Sequence, residues 1–351
     1  MSRRILLRLL AVLVVIGAVF VCVGGLSAQG RSGDAFERVR EVQQRHTAKL
    51  MAQKGVVGTA VGLSEGGQPA MLVLLEEAGV AGIPADLDGV SVRAIVTGKI
   101  EALASRSALA GKGRPSQQKI DPTAWFKRPV PIGVSTGNSR ECSAGTIACR
   151  VSKGGTVYAL SNNHVYALEN NATAGKNGDK VVQPGLYDTR CAYNPDSVIG
   201  TLAAFEPIEF STTAGNRIDA AVAVSSEAHL GDSTPADGYG TPSSQTTAAT
   251  LGMAVQKYGR TSSLTKGTVT GIDAIINIGY SSGTARFVDQ IIVQSRSPFI
   301  KAGDSGSLLV TDSDEKSPVG LLFAGDSSGK FAIANHIDDV LDAFGVTIDG
   351  Q

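Results

Sequence analysis

Asp219 is the residue that most constrains how this chain can fold. It lies in the run IDAAVA at residues 218–223, where all of its neighbours are apolar. Burying a carboxylate in such surroundings is costly unless the charge is paired and hydrogen-bonded. We therefore expect a fold that brings a polar partner to Asp219 from a distant part of the chain.

Two further motifs offer that partner and a nucleophile. His164 follows the alternating run VYAL at residues 157–160, which predicts a strand that ends in a loop. Ser305 lies in the sequence GDSG at residues 303–306, just before the apolar run LLV. Gly, Asp and Ser all favour turns, so GDSG alone also fits a simple turn. A serine hydroxyl needs an imidazole base, and the base needs a carboxylate to fix its tautomer, so together the three motifs favour a catalytic triad.

The three motifs resemble those of trypsin-like (chymotrypsin-fold) serine peptidases over roughly residues 133 to 346. The chain order His164, Asp219, Ser305 is that of the chymotrypsin type and differs from the order in subtilisins and α/β-hydrolases. The sequence SNN before His164, and the segment at residues 255–269, resemble a bacterial and plant branch that includes the plant leaf-width trypsin-like proteins. No IVGG activation site precedes the first barrel, so the zymogen switch of the animal enzymes is not implied.

The resemblance implies a mainly β fold of two six-stranded antiparallel β-barrels with a C-terminal helix. It implies an oxyanion hole formed by the backbone N–H groups of Gly303 and Ser305, and it implies no metal or cofactor. It also implies a specificity pocket whose walls are Phe323, Ala324, Gly325, Ala332 and Ala334. No carboxylate stands where a Lys- or Arg-selecting pocket needs one, so small or apolar side chains are expected, and His336 leaves an acidic preference open.

Two other functions remain open at the level of sequence. One is a non-catalytic peptide-binding module on a peptidase fold, against which the intact set of three side chains argues, because nothing would keep all three in a pure binder. The sequence GYSSG at residues 279–283 matches the nucleophile elbow of an esterase, with His336 downstream. The elbow needs a helix directly after its serine, whereas the β-branched residues 285–293 predict a strand. The peptidase is therefore the preferred interpretation, with a protein or peptide as its substrate.

Composition agrees with a β-rich enzyme. The chain has 42 glycines in 351 residues, 18% charged residues and a formal net charge of +0. Many strand-length runs of Val, Ile and Thr are separated by turn residues. No stripe of Lys and Arg with interleaved aromatic residues is present, so nucleic-acid binding is not expected.

Residues upstream of the barrels divide into three parts. Residues 1–28 have the basic start, apolar core and small-residue end of a signal peptide, which predicts a secreted or periplasmic protein; an uncleaved anchor is the alternative. Residues 29–105 predict a helix and three strands, a small α+β domain that is either a prosegment or a permanent domain. Residues 106–131 form a Gly-, Ser- and Pro-containing basic linker that we expect to be exposed and cleavable, and residues 132–351 are the peptidase domain.

The cysteines fit an oxidising compartment. Cys149 shares a strand face with Ile147 and Val151 and is expected to be a buried thiol. Cys142 and Cys191 lie in polar, turn-like segments on either side of the His164 strand, and we predict a disulfide between them.

Overall fold

The computed structural model describes residues 33–103 and 120–351. The predicted signal peptide and most of the predicted linker lie outside the described residues. Within the described ranges, none of the helices has the length and apolar character needed to cross a membrane.

The described chain is mainly β, as predicted. Its strands, in chain order, are β1 (Val56–Leu63), β2 (Pro69–Leu75), β3 (Asp86–Leu87), β4 (Val90–Val96), β5 (Ile100–Ala102), β6 (Ser135–Asn138), β7 (Gly145–Thr146), β8 (Arg150–Lys153), β9 (Thr156–Ser161), β10 (Lys180–Val182), β11 (Val198–Phe205), β12 (Ala221–Val224), β13 (Ala254–Gly259), β14 (Ser263–Tyr280), β15 (Gly283–Gln294), β16 (Leu308–Thr311), β17 (Pro318–Asp326), β18 (Phe331–His336) and β19 (Thr347–Ile348). The α-helices are α1 (33–51), α2 (Asn163–Tyr166) and α3 (Ile337–Phe344).

Six strands of the C-terminal half close into a barrel. They pair in the order β13, β16, β17, β18, β15 and β14, and β14 returns to β13; every pairing is antiparallel. Closure leaves no free strand edge around this core. The second predicted barrel is therefore confirmed.

The first barrel is built the same way, with one interrupted strand. Antiparallel pairs connect β8, β9, β12, β11, β10 and β6, and β6 pairs with β7. Between β7 and β8, the N–H of Ala148 donates to the carbonyl of Leu160 at 2.8 Å, and the N–H of Leu160 donates to Cys149 at 3.1 Å. The segment from β7 to β8 thus acts as one strand that closes a six-stranded barrel.

Helix α3 follows the second barrel, as the resemblance implies. Ile337 and Val340 are buried in an apolar cluster that contains residues of both barrels. The helix ends at Gly345, whose φ of 60° is the left-handed conformation that glycine adopts at helix C-termini. The fold is the chymotrypsin-like two-barrel fold with its C-terminal helix.

The N-terminal α+β unit shares a sheet with the second barrel. Strand β1 pairs antiparallel with β14, so the sheet of the second barrel continues through β1, β2, β4 and β3. The contact is possible because β14 is 18 residues long and extends past the barrel as a hairpin with β15. The side chain of Arg40 on α1 also donates to Asp273 of β14 at 2.8 Å. The unit is therefore packed directly on the second barrel.

The predicted disulfide is present. Cys142 and Cys191 are bonded, with their Cα atoms 5.0 Å apart. Cys149 is a free, buried thiol, and burial raises its pKa far above the ordinary range, which makes it unreactive. The predictions for Cys142, Cys149 and Cys191 are confirmed.

Candidate active site

His164 and Asp219 form a buried pair in the first barrel. Strand β9 leads into α2, which carries His164, and β9 pairs with β12, which begins just after Asp219. Nδ1 of His164 lies 2.6 Å from Oδ2 of Asp219, and the backbone N–H of His164 donates to Oδ1 at 3.2 Å. Both side chains are 0% exposed. The carboxylate in the apolar run thus has the distant partner that its burial demands.

Buried amides hold this pair in place. Asn162 donates to the backbone carbonyl of Asp219 at 2.7 Å, and Asn163 donates to the carbonyl of Glu206 at 2.7 Å. From the second barrel, the side-chain oxygen of Asn335 accepts the Asp219 backbone N–H at 3.0 Å. The sequence SNN before His164 therefore has a physical function, because its two amides fix the loop that carries the imidazole.

Tyr280 is a further partner of the carboxylate that sequence reasoning missed. Its hydroxyl donates to Oδ2 of Asp219 at 2.9 Å, and its ring meets the His164 imidazole edge-on, with centroids 6.0 Å apart. Burial, followed by the negative charge of Asp219, raises the pKa of Tyr280 well above its ordinary value. The phenol therefore stays protonated and donates to the same oxygen that accepts from His164.

We expect Tyr280→Phe to lower kcat about tenfold with little change in KM. A hydrogen bond to a charged group contributes about 1.5–3 kcal/mol to stability. Part of this free energy stabilises the Asp219 carboxylate while it holds the protonated His164 during the reaction. Steady-state kinetics on a peptide substrate measure the effect. Tyr239→Phe is the matched control, since the Tyr239 hydroxyl is buried without a hydrogen-bond partner among the described residues. Equal kcat values for the two variants would contradict a positioning role.

The turn at residues 303–306 joins the two barrels. Gly303 and Gly306 have φ values of +95° and +90°, and a Cβ at Gly306 would collide with the carbonyl oxygen of Thr146. The N–H of Thr146 in β7 donates to the Ser305 carbonyl at 2.8 Å, and its hydroxyl donates to the Gly303 carbonyl at 2.8 Å. The close approach requires glycine at residue 306, and the positive φ favours glycine at both positions.

The Ser305 hydroxyl is not hydrogen-bonded to His164. Its Oγ donates to the backbone carbonyl of Phe323 at 3.2 Å. Nε2 of His164 is buried and has no hydrogen-bond partner among the described residues. The structure thus brings His164 and Asp219 into contact and leaves the serine hydroxyl turned toward β17.

A buried ion pair supports the turn from below. Asp304 is 0% exposed and lies 3.3 Å from Nζ of Lys257, which is also 0% exposed. Its carboxylate accepts hydrogen bonds from the backbone N–H groups of Lys301, Thr261 and Ser262 at 2.9, 2.8 and 3.1 Å. Asp304 therefore fixes the conformation of the turn, and its carboxylate points away from the cleft.

The N-terminal unit reaches into the cleft beside Ser305. Strand β5 pairs antiparallel with β17, with Ala102 opposite Ala324 and Glu101 opposite Gly325. One residue further, the N–H of Gly303 donates to the carbonyl oxygen of Leu103 at 2.6 Å. A backbone donor of the predicted oxyanion hole is therefore bound to a peptide carbonyl of this same chain.

The predicted pocket residues divide between two apolar clusters. Ala332 and Ala334 belong to the cluster against which Leu103 packs. The side chains of Phe323 and Ala324 belong to another cluster, which also contains Ile100. The backbone carbonyl of Phe323, and not its side chain, therefore faces the cleft.

The esterase-like motif has no elbow geometry. Ser281 lies in the hairpin turn between β14 and β15, and its hydroxyl donates to both carboxylate oxygens of Glu169 at 2.8 Å. His336 lies near Asp289 instead, with Nε2 3.6 Å from Oδ1. Among residues 33–103 and 120–351, no group of three or more His, Cys, Asp or Glu side chains is arranged to hold a metal ion.

Comparison with known proteins gives one family match and several structural similarities. Residues 181–342 match the family described as the Nal1 C-terminal domain. No curated protein matches the sequence. Among solved structures, a glutamic acid specific serine protease that utilizes a histidine triad in substrate binding is 20% identical, with a TM-score of 0.44, over 62% of this chain and 100% of that one. Thermobifida fusca Protease A is 18% identical, with a TM-score of 0.44, over 63% of this chain and 99% of its own.

The Cellulomonas bogoriensis chymotrypsin is similar to the same extent. It is 20% identical, with a TM-score of 0.42, over 63% of this chain and 99% of that chain. Identities this low transfer no residue roles to the present chain. The fold assignment rests on the strand pairings of the two barrels.

Proposed function

We propose that the protein is a serine endopeptidase in which Ser305 is the nucleophile, His164 the general base and Asp219 the orienting carboxylate. The observation that carries the proposal is the buried imidazole of His164. Asp219 holds its Nδ1, which leaves Nε2 as an acceptor inside the protein without a partner among the described residues. A buried acceptor in this state needs an explanation, and a proton from Ser305 supplies one.

The first chemical step requires one side-chain rotation. Turning the Ser305 hydroxyl from the Phe323 carbonyl to another staggered rotamer would let it donate to His164. Its oxygen then attacks the substrate carbonyl carbon as His164 takes the proton. The N–H groups of Gly303 and Ser305 would stabilise the oxyanion, where losing one donor typically costs about 2.7–4 kcal/mol.

The second half of the reaction follows from the same groups. His164 returns its proton to the departing amine, which leaves the acyl group on Ser305. Water, activated by His164, then hydrolyses the ester. Asp219 keeps the imidazole oriented and stabilises its charged form throughout, with Tyr280 donating to the same carboxylate.

A non-catalytic peptide-binding module is the second candidate. The observation that favours it is the Ser305 hydroxyl, which is bonded to Phe323 instead of His164. A pure binder would hold a peptide along β17 without attacking it. The two candidates differ in whether Ser305 reacts.

A fluorophosphonate probe tests the proposal, because it modifies only a serine that is activated as a nucleophile. We expect labelling at Ser305 in the wild type and in Leu103→Gly, where the segment over the cleft is weakened. Peptide mapping by mass spectrometry locates the label. Ser305→Ala should not react, and Ser281→Ala should react normally. If neither the wild type nor Leu103→Gly is labelled, the binding module is the better account.

A further inference from the structure

The cleft of this protein is occupied by its own chain in the manner of a substrate. The segment Ile100–Leu103, here called the cleft segment, lies antiparallel to residues 323–326 at the end of β17. The N–H of Leu103 donates to the carbonyl of Phe323 at 3.4 Å, and its carbonyl accepts from Gly303 at 2.6 Å. Backbone pairing of an extended peptide with a strand edge is a general mode of peptide recognition.

The hydrogen-bond register of the cleft segment places Leu103 beside the proposed oxyanion hole. Its carbonyl oxygen is the one held by the N–H group that we assign to the oxyanion hole. In the proposed reaction this is the carbonyl of the residue whose peptide bond is broken. The cleft segment therefore fills the part of the cleft that binds the acyl side of a substrate.

The pocket beneath Leu103 is apolar. The leucine side chain packs against a cluster that contains Phe299, Ile300 and Ala332. A Cβ placed on Gly325 would lie 2.7 Å from Ile300 and 3.1 Å from the Leu103 side chain. Because Gly325 has no side chain, this space is available to the leucine. Such a pocket suits a branched apolar side chain and rejects a charged one.

We infer that the cleft segment is the enzyme's own first substrate, cleaved at the carbonyl of Leu103, and that the same pocket selects leucine-like residues in other substrates. The inference rests on the proposed peptidase function. It places the cut at the edge of the predicted N-terminal domain, before the linker at residues 106–131.

The step needs only water as a co-reactant. Ser305 Oγ bonds to the Leu103 carbonyl carbon while its proton passes to His164, and the bond to the next nitrogen in the chain breaks. His164 gives the proton to that nitrogen, which becomes the amino group of a chain beginning at Ala104. Water then releases Leu103 as a free carboxylate from Ser305.

The cut would not by itself release the N-terminal unit. Strand β1 remains paired with β14, and Arg40 remains bound to Asp273. Leu72, Leu74 and Ile100 also share an apolar cluster with residues of the second barrel. The two pieces should therefore migrate together under native conditions and separate only when denatured.

Mass spectrometry of the denatured full chain tests the inference. We expect the wild type to give two pieces, one ending at Leu103 and one beginning at Ala104, which elute together in native gel filtration. Ser305→Ala, made in the same host, should remain one chain. Leu103→Met should be cut as the wild type is, and Leu103→Asp should be cut at least about a hundredfold more slowly, because its charge would enter the apolar pocket.

A peptide of residues 98–107, GKIEALASRS, measures the preference without relying on the state of the intact chain. We expect hydrolysis after its leucine, and a kcat/KM at least about a hundredfold lower when that leucine is replaced by Glu or Lys. The same preparation is titrated with the fluorophosphonate probe.

The outcomes separate the two proposals. An active, probe-reactive enzyme that leaves its own chain uncut, cuts it elsewhere, or prefers Glu or Lys would overturn this inference and leave the peptidase function standing. A chain that is cut equally in the wild type and Ser305→Ala would also overturn it. A protein that neither reacts with the probe nor hydrolyses any peptide would remove both.

Discussion

Ser305→Ala is expected to lower kcat for peptide hydrolysis by about 10⁶-fold, since it removes the attacking oxygen. The β17 edge and the Gly303 N–H are unchanged in this variant, so the loss is assigned to the chemical step. Initial rates under saturating peptide, with protein concentration fixed by absorbance, measure the loss. A residual rate above that of water is expected from the remaining oxyanion donors.

The fold of this variant should be intact. The Ser305 hydroxyl makes one hydrogen bond, to Phe323, and removing it costs about 0.5–1.5 kcal/mol. Ser281→Ala is the matched control, because Ser281 lies in the hairpin that the esterase interpretation would make catalytic. Full activity of Ser305→Ala, or a comparable loss in Ser281→Ala, would contradict the assignment.

The sequence was sufficient to predict those parts of the site that depend on local pattern. An apolar run around Asp219 requires a buried partner, and the strand before His164 ends where that partner is needed. The structure brings these two residues to 2.6 Å. The disulfide between Cys142 and Cys191 followed from similar reasoning about polar turns in an oxidising compartment.

The contributions from distant hairpins could not be predicted in this way. Tyr280 reaches Asp219 because β14 extends beyond its barrel, a length that no local pattern in the sequence indicates. Its motif instead resembled an esterase elbow. The cleft segment was missed for another reason: β5 has only three residues, too few to show a period, and its partner β17 is more than two hundred residues away in sequence.

The rotamer of Ser305 also lay beyond sequence reasoning. The structure shows Oγ of Ser305 donating to the carbonyl of Phe323, and the proposed reaction requires a different side-chain torsion. The carbonyl of Phe323 accepts from Ser305 and from Leu103 at once. The cleft segment and the Ser305 hydroxyl therefore share one hydrogen-bond acceptor, the carbonyl of Phe323.

Replacing the carboxylate beneath the nucleophile turn should have the largest effect on stability. We expect Asp304→Ala to lower the free energy of unfolding by about 3–5 kcal/mol, because it removes the charge paired with the buried Lys257. Three backbone N–H groups that now donate to Asp304 would also lose their acceptor. Urea denaturation followed by tryptophan fluorescence and circular dichroism measures the change.

A double-mutant cycle identifies the cause of that loss. If the uncompensated charge of Lys257 dominates, Lys257→Met combined with Asp304→Asn should be more stable than Asp304→Asn alone, since the buried charge is gone and the amide oxygen can still accept from the N–H groups of Thr261 and Ser262. Additive losses in the cycle would instead assign the cost to the backbone donors. An Asp304→Ala protein within about 1 kcal/mol of the wild type would show that the turn keeps its shape without the ion pair, and that Gly303 and Gly306 alone are sufficient to define it.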